Sequence, residues 1–362
     1  MCPTTYHERD PLMRPAAAAP LLASASLLVL LLAGAGGAQP GAPGGVSAGA
    51  GIDARPLLPV ADLGWLGHGV CYGPHRDGQR PGGPSPSAAQ IREDLHLMAG
   101  HWDLIRIFGA SGFGRAMLEQ IVRDQLELKV MVGAWIDAES ERDDLGEVVQ
   151  PLPENVAANE REVAAAIALA RDFPEHVIAV AVGNETQVSG SPYACDLDVL
   201  VGHVRSVREA VPVPVTTADD WRYWTRPESH RLAAELDFVL VHAHPLWEGQ
   251  QLADAMPWLQ ARLAELQAMH PSRLVVIGET GWATDVPPRG EQAAMVQGAV
   301  GEAEQSVFYH ASREWARSER LPMFTFEAFD ENWKGGDHPR DVEKHWGLFR
   351  ADRTPKAAIS LP

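Results

Sequence analysis

Val177-Ile-Ala-Val-Ala-Val-Gly-Asn-Glu185 and Leu274-Val-Val-Ile-Gly-Glu-Thr-Gly-Trp282 decide the fold of this chain. Each opens with four to six apolar residues without alternation, then breaks at a glycine and a carboxylate. Continuous apolarity of that length suits a strand covered on both faces, as in a parallel sheet. Further apolar runs at 67–72, 104–108, 130–135, 213–217, 238–242 and 323–326 complete a set of eight. Helical patterns lie between them. Ser87-Ala-Ala-Gln90 is a capping-box sequence ahead of Ile91, Leu95 and Met98, which recur on one helical face. Asn159-Glu-Arg-Glu162 offers a similar start before Val163, Ile167 and Ala170. Leu252, Leu259, Leu263 and Leu266 mark another helix, stopped by His270-Pro271. Eight strands alternating with helices predict an α/β fold, a (β/α)8 TIM barrel in a single domain. An open doubly wound sheet is the competing architecture. It ordinarily carries a Gly-rich phosphate loop after its first strand, and Gly73-Pro-His-Arg-Asp-Gly78 does not match one.

Outward from this core, the N-terminus reads differently. Arg9 and Arg14 precede an uncharged Ala/Leu-rich stretch at 16–35, and small residues follow up to Ala38. That order makes residues 1–38 an export signal, with a retained membrane anchor as the alternative, because the stretch approaches the ~18–20 residues that span a bilayer. Residues 39–57 are rich in Gly, Ala and Pro and read as a disordered linker. The remaining 58–362 suits one large barrel, whose typical length is ~250 residues. The expected location is outside the cytoplasm, periplasmic or extracellular, with contact to a membrane only if the apolar segment stays attached. A formal charge of −18 argues against nucleic acid as a partner. Cys71 and Cys195 are the cysteines beyond the N-terminal segment; they form no metal-binding spacing, and a single disulfide between them is one arrangement the count allows.

In a barrel, chemistry sits where strands end. The fourth run ends in Gly183-Asn184-Glu185 and the seventh in Gly278-Glu279-Thr280. Carboxylates on strands four and seven face each other across the mouth. Cleavage of a glycosidic bond needs such a pair, one protonated to assist the leaving oxygen and one ionised to attack the anomeric carbon; a separation of ~5–5.5 Å leads to retention of configuration. A general acid must also keep its proton at working pH, which asks for burial or a carboxylate neighbour. Trp135, Trp221, Trp224, Trp247, Trp282 and Trp333 all fall at or just past strand ends. Any one could fill core, but six on one rim suit the stacking of sugar rings on indole faces.

At these residues the chain resembles glycoside hydrolase family 17. Val275-Val-Ile-Gly-Glu279-Thr-Gly-Trp282 is similar to that family's nucleophile signature and Val182-Gly-Asn184-Glu185 to its acid/base segment. Tyr72-Gly-Pro, Ile105-Arg106-Ile-Phe-Gly109, Phe326-Glu327-Ala-Phe-Asp330-Glu331-Asn-Trp-Lys334 and His345-Trp346-Gly347-Leu-Phe also look like family segments, so the likeness runs from about Gly67 to Lys356. It implies Glu185 as acid/base and Glu279 as nucleophile. Asn184 would bond the sugar 2-hydroxyl, and Arg106 would hold Glu279 ionised. Glu331 and Lys334 would form an accessory pair, with Tyr72, His242, Trp135, Trp221, Trp247, Trp282 and Trp333 completing the substrate-binding set. No cofactor or metal is implied. The expected substrate is a β-glucan oligo- or polysaccharide, with β-1,3 linkage given by the resemblance alone; a transglycosylase using the same carboxylates is the variant reading. Two departures stand out. Trp282 is followed by Ala283-Thr284 where the family usually has Pro-Ser, and the long acidic segment 137–153 has no clear counterpart, reading as a solvated face or a loop shaping one cleft end.

Two other classes compete. His242-Ala-His244, with His68 and His75, could be imagined as metal ligands. A non-catalytic glycan-binding barrel would keep the tryptophans and dispense with a carboxylate, whereas both Glu185 and Glu279 are here.

Overall fold

A computed structural model describes residues 52–57, 65–142, 148–188, 191 and 193–360. The apolar N-terminal stretch read as a signal or anchor lies outside the described residues. Among the described residues ten strands form: β1 (Gly69–Cys71), β2 (Leu104–Arg106), β3 (Lys129–Ala134), β4 (Ser140–Arg142), β5 (Val148–Pro151), β6 (Val177–Asn184), β7 (Val215–Asp220), β8 (Phe238–His242), β9 (Leu274–Thr280) and β10 (Met323–Thr325). Eight of them close into a parallel barrel in the order β1-β10-β9-β8-β7-β6-β3-β2. The closed (β/α)8 barrel is therefore the architecture, and the open sheet is ruled out. β6 is the fourth barrel strand and β9 the seventh.

Strand interiors are buried because helices cover the barrel on every side, which is why the apolar runs do not alternate. The helix Ala88–Ala99 opens with the expected capping box, Ser87 and Gln90 exchanging side-chain and backbone bonds. The helix Leu252–Met269 ends where predicted, at His270. Between β3 and β6 the expectation needs correcting. That helix starts at Pro153, not near Asn159, because Pro at the first helical position costs no hydrogen bond. Asn159 lies inside it, buried, bonding the backbone of Asp137 through both ends of its amide. The acidic segment ahead of it is neither plain loop nor plain solvated face, since β4 and β5 pair there as an exposed antiparallel hairpin.

The linker also differs from expectation at its end. Residues 52–57 dock beneath the barrel, where Arg55 donates to the carbonyls of Arg208, Val211 and Val213 at 2.6–2.8 Å, and its backbone N–H to Asp237. A guanidinium with several donors can close off carbonyls that a helix end leaves open. Cys71 and Cys195 are separate buried thiols, so the disulfide is not formed.

Candidate active site

Glu185 and Glu279 stand at the ends of β6 and β9, on the same mouth of the barrel. Glu185 has a left-handed backbone (φ 53°) and follows Gly183 at φ 83°. A non-glycine residue held there stores about 1–3 kcal/mol of strain, a pattern that clusters at functional sites. The turn is pinned from β7: Glu185 N–H bonds Ala218 O at 2.9 Å, and Gln187 N–H bonds the buried Asp219 carboxyl at 2.8 Å. The Glu185 side chain is 43% exposed, while that of Glu279 is 8% exposed.

Glu279 sits in a cradle of donors. Arg106 Nη1, from β2, lies 2.7 Å from Oε1, and His244 Nε2 lies 3.5 Å from Oε2. Burial alone would push the Glu279 pKa up. The charge of His242, the hydrogen bond from His244 and the Arg106 guanidinium outweigh it and hold the carboxyl well below the usual carboxylate range. The other Arg106 nitrogen donates to Asn184 Oδ1 at 2.7 Å, orienting that amide beside Glu185. His242 lies between the two glutamates, with Nδ1 2.9 Å from Glu185 Oε1 and Nε2 3.1 Å from Glu279 Oε1. Sequence reasoning placed His242 at the substrate; its ring is 1% exposed and faces the carboxylates instead.

Phe108, Phe326, His244 and Trp346 make an aromatic wall beside the nucleophile candidate, ring centroids 5.0–6.4 Å apart. Trp346 was quoted only as part of a motif. Trp247 continues the wall outward, 6.0 Å from Trp346 and half-buried. Trp333 is also half-buried, edge-on to His75. Trp135 stands half-buried against Tyr193, its N–H donated to Asp137.

Several expected substrate contacts are core instead. Trp282 is 1% exposed, packed on Phe308 with its N–H given to Ala299 O, and Trp224 is fully buried with its N–H given to Leu240 O. Both are strand-end indoles that point outward to the helix layer, so the rim has fewer than six. Trp221 is half-buried, but the guanidiniums of Arg222 and Arg262 already lie over its ring. Tyr72 is fully buried, its hydroxyl held by Asp94 at 3.1 Å. Glu331 and Lys334 do not line the surface. They lie beneath it with Glu327, Lys334 Nζ being 2.5 Å from Glu327 and 3.0 Å from Glu331. Glu331 is held low against its burial by Lys334 and by His75, while burial pushes Glu327 well up against the pull of the same lysine. Gly73 packs against this cluster so closely that a Cβ there would come within 2.2 Å of Glu331.

Four groups were not singled out by sequence. Glu327 is one. Asp219, beneath the Glu185 turn, is another, its pKa driven well up by burial. Glu343, half-buried on the turn Val342–Lys344, is pushed up to about 7 by burial, against the pull of Lys334 and His244. His244 was weighed only as a metal ligand. The imagined histidine ligands do not converge: His242 and His244 face Glu279, His75 pairs with Glu331, and His68 precedes β1 at the opposite end of the barrel. Among the described residues no group of three His, Cys, Asp or Glu side chains could hold a metal ion.

A closed parallel barrel with a buried ionised carboxylate and a more exposed one across its mouth is the build of a glycosidase. Residues 69–347 match the BtgE/BtgC glycoside hydrolase domain, and the chain belongs to that family. Among curated proteins it is 29% identical to a glucan 1,3-beta-glucosidase of Arthroderma benhamiae over 77% of this chain and 86% of the relative. It is 28% identical to one of Schizosaccharomyces pombe, covering 73% and 78% respectively. An endo-laminarinase from Formosa Hel1_33_131 superposes with a TM-score of 0.69 at 25% identity, covering 81% of this chain and 85% of that one. The resemblance read from the motifs thus reaches the same group of glycosidases.

Proposed function

We propose that this protein is a retaining β-1,3-glucan hydrolase working by double displacement. The observation that carries the mechanism is the asymmetry of the two glutamates. Glu279 is buried, ionised and backed by Arg106; Glu185 is open to the cleft on a strained turn. Glu279 attacks the anomeric carbon as the glycosidic C–O bond breaks, and the leaving oxygen takes its proton from Glu185. The glycosyl group is then an ester of Glu279. Water gives a proton to the ionised Glu185 and attacks the same carbon, which releases sugar and restores both carboxyl groups. Asn184, oriented by Arg106, is placed for the sugar 2-hydroxyl, and Trp247 and Trp333 offer indole faces for neighbouring sugar rings.

The β-1,3 linkage is supported by the two curated relatives, both of them glucan 1,3-beta-glucosidases by name. The deciding experiment is incubation with laminari-oligosaccharides of defined length, followed by mass analysis of the products. Only shorter products are expected, their lengths giving endo or exo cutting. Products longer than the substrate would make it a transglycosylase, and unchanged substrate would remove the β-1,3 assignment. Export is the second part of the proposal, resting on the 1–38 pattern: the N-terminal residue of protein recovered from outside the cytoplasm should fall just after Ala35 or Ala38.

A further inference from the structure

His242 faces both glutamates, and its geometry fixes where protons can be. Nε2 lies 3.1 Å from an oxygen of Glu279, without a linear hydrogen bond. Glu279 is ionised beside Arg106, and a hydrogen on Nε2 sets the positive edge of the ring rather than a lone pair next to that carboxylate; we take Nε2 as the protonated nitrogen. On the other side, Nδ1 lies 2.9 Å from Glu185 Oε1. A bare imidazole nitrogen and a carboxylate oxygen cannot meet at that distance, because both are acceptors. One proton stands between them.

We propose that Glu185 and His242 hold this proton jointly, which makes His242 a positioning residue that loads the acid before substrate arrives. The inference rests on Glu185 being the acid/base. The proton is either on the carboxyl, with Nδ1 accepting, or on the ring, with Glu185 ionised; the two forms have equal charge. In the first chemical step the proton leaves the pair for the departing oxygen. Glu185 is then ionised opposite the bare Nδ1, an unfavourable contact that strengthens it as the base taking a proton from water in the second step. The balance is one proton out and one back per turnover.

Charged groups of both signs surround the pair. Glu279 comes from β9 with Arg106 of β2 behind it, Asp219 and Asp220 come from β7, His244 from the segment just past β8 and Glu343 from the turn Val342–Lys344. Asp219, Asp220 and Glu343 each feel the charge of Glu185. Arg106 faces Glu279 and Asn184, and among the described residues His242 is the group within hydrogen-bonding distance of the Glu185 carboxyl.

The test compares the full-length protein with His242→Gln by following kcat/KM against pH on two substrates. Laminaritetraose needs the proton in its first step, and a dinitrophenyl β-laminaribioside does not. With laminaritetraose, His242→Gln should lose roughly tenfold or more and its basic limb should move down by about one pH unit. With the activated aryl substrate the loss in kcat/KM should be at least several-fold smaller than with laminaritetraose. Equal losses on both substrates with an unmoved basic limb would overturn the proposal and leave His242 a packing residue. A second measurement needs neither folding of that variant nor turnover. In nitrogen-15 spectra of histidine-labelled protein, Nδ1 of His242 should resonate as a proton-sharing nitrogen and change in Glu185→Gln. An unshared resonance in the unsubstituted protein, or no change on substitution, would sink the shared proton. Failure to cleave any laminari-oligosaccharide would instead remove the glucan assignment, and the spectra would still decide the pair.

Discussion

Arg106 lies 2.7 Å from Glu279, and both side chains are withdrawn from water, at 2% and 8% exposure. A buried charge stripped of its partner costs about 3–5 kcal/mol, so Arg106→Met should lose stability of that order in chemical denaturation. The pH dependence has a definite sign. The Glu279 pKa is depressed in the folded protein, so its ionisation stabilises the fold above the ordinary carboxylate range, and that stabilisation is lost progressively as pH falls from that range through the depressed folded value. Removing Arg106 raises the folded value, and the acid limb of kcat/KM should move to higher pH.

The two glutamates should separate by leaving group. Glu185→Gln is expected to slow laminari-oligosaccharide cleavage by about 10²–10⁴-fold, with a much smaller loss in kcat/KM for a dinitrophenyl glycoside. Glu279→Ala should abolish turnover of both substrates while calorimetric titration still detects oligosaccharide binding. Equal damage to both substrates by Glu185→Gln would count against its role as acid.

Glu343 gives a test at neutral pH. Its folded value of about 7 lies above that of an unfolded glutamate, so the stability it contributes is present at acidic pH and is lost as pH rises through 7. Glu343→Gln removes this dependence. Between pH 5 and pH 8 the Tm of the unsubstituted protein should fall by a few degrees more than that of the variant.

Two tryptophans should respond in opposite ways. Trp282→Ala empties a fully buried site and should cost about 3–5 kcal/mol, with the loss read in Tm. Trp333→Ala, at a half-buried position beside His75, should leave Tm nearly unchanged and raise KM for longer oligosaccharides severalfold.

The barrel was legible in the sequence because strands buried on both faces leave unbroken apolar runs, as at Val177–Asn184, and the chemistry stands at the first polar residue after each. Glu185, Glu279, Asn184 and Arg106 were found on that logic or by motif, and the structure brings them together. Direction was harder to read. Trp282 and Trp333 both follow strands, yet one turns to the helix layer and the other to the mouth, a choice made by packing several residues away. Asp219 was hidden for a similar reason: it belongs to β7 but acts through the backbone of Gln187 on the neighbouring strand's loop. Glu343 lies 64 residues after Glu279, on a turn without periodicity or strand to announce it.

The docking of Arg55 has a practical side. Its three carbonyl partners precede β7, on the floor of the barrel, while the glutamates occupy the ceiling. Attachment on that side would hold the domain like a cup by its stem. Joining a surface or a second protein ahead of Ile52 would leave the mouth turned outward, free for a polysaccharide to lie across without meeting the attachment.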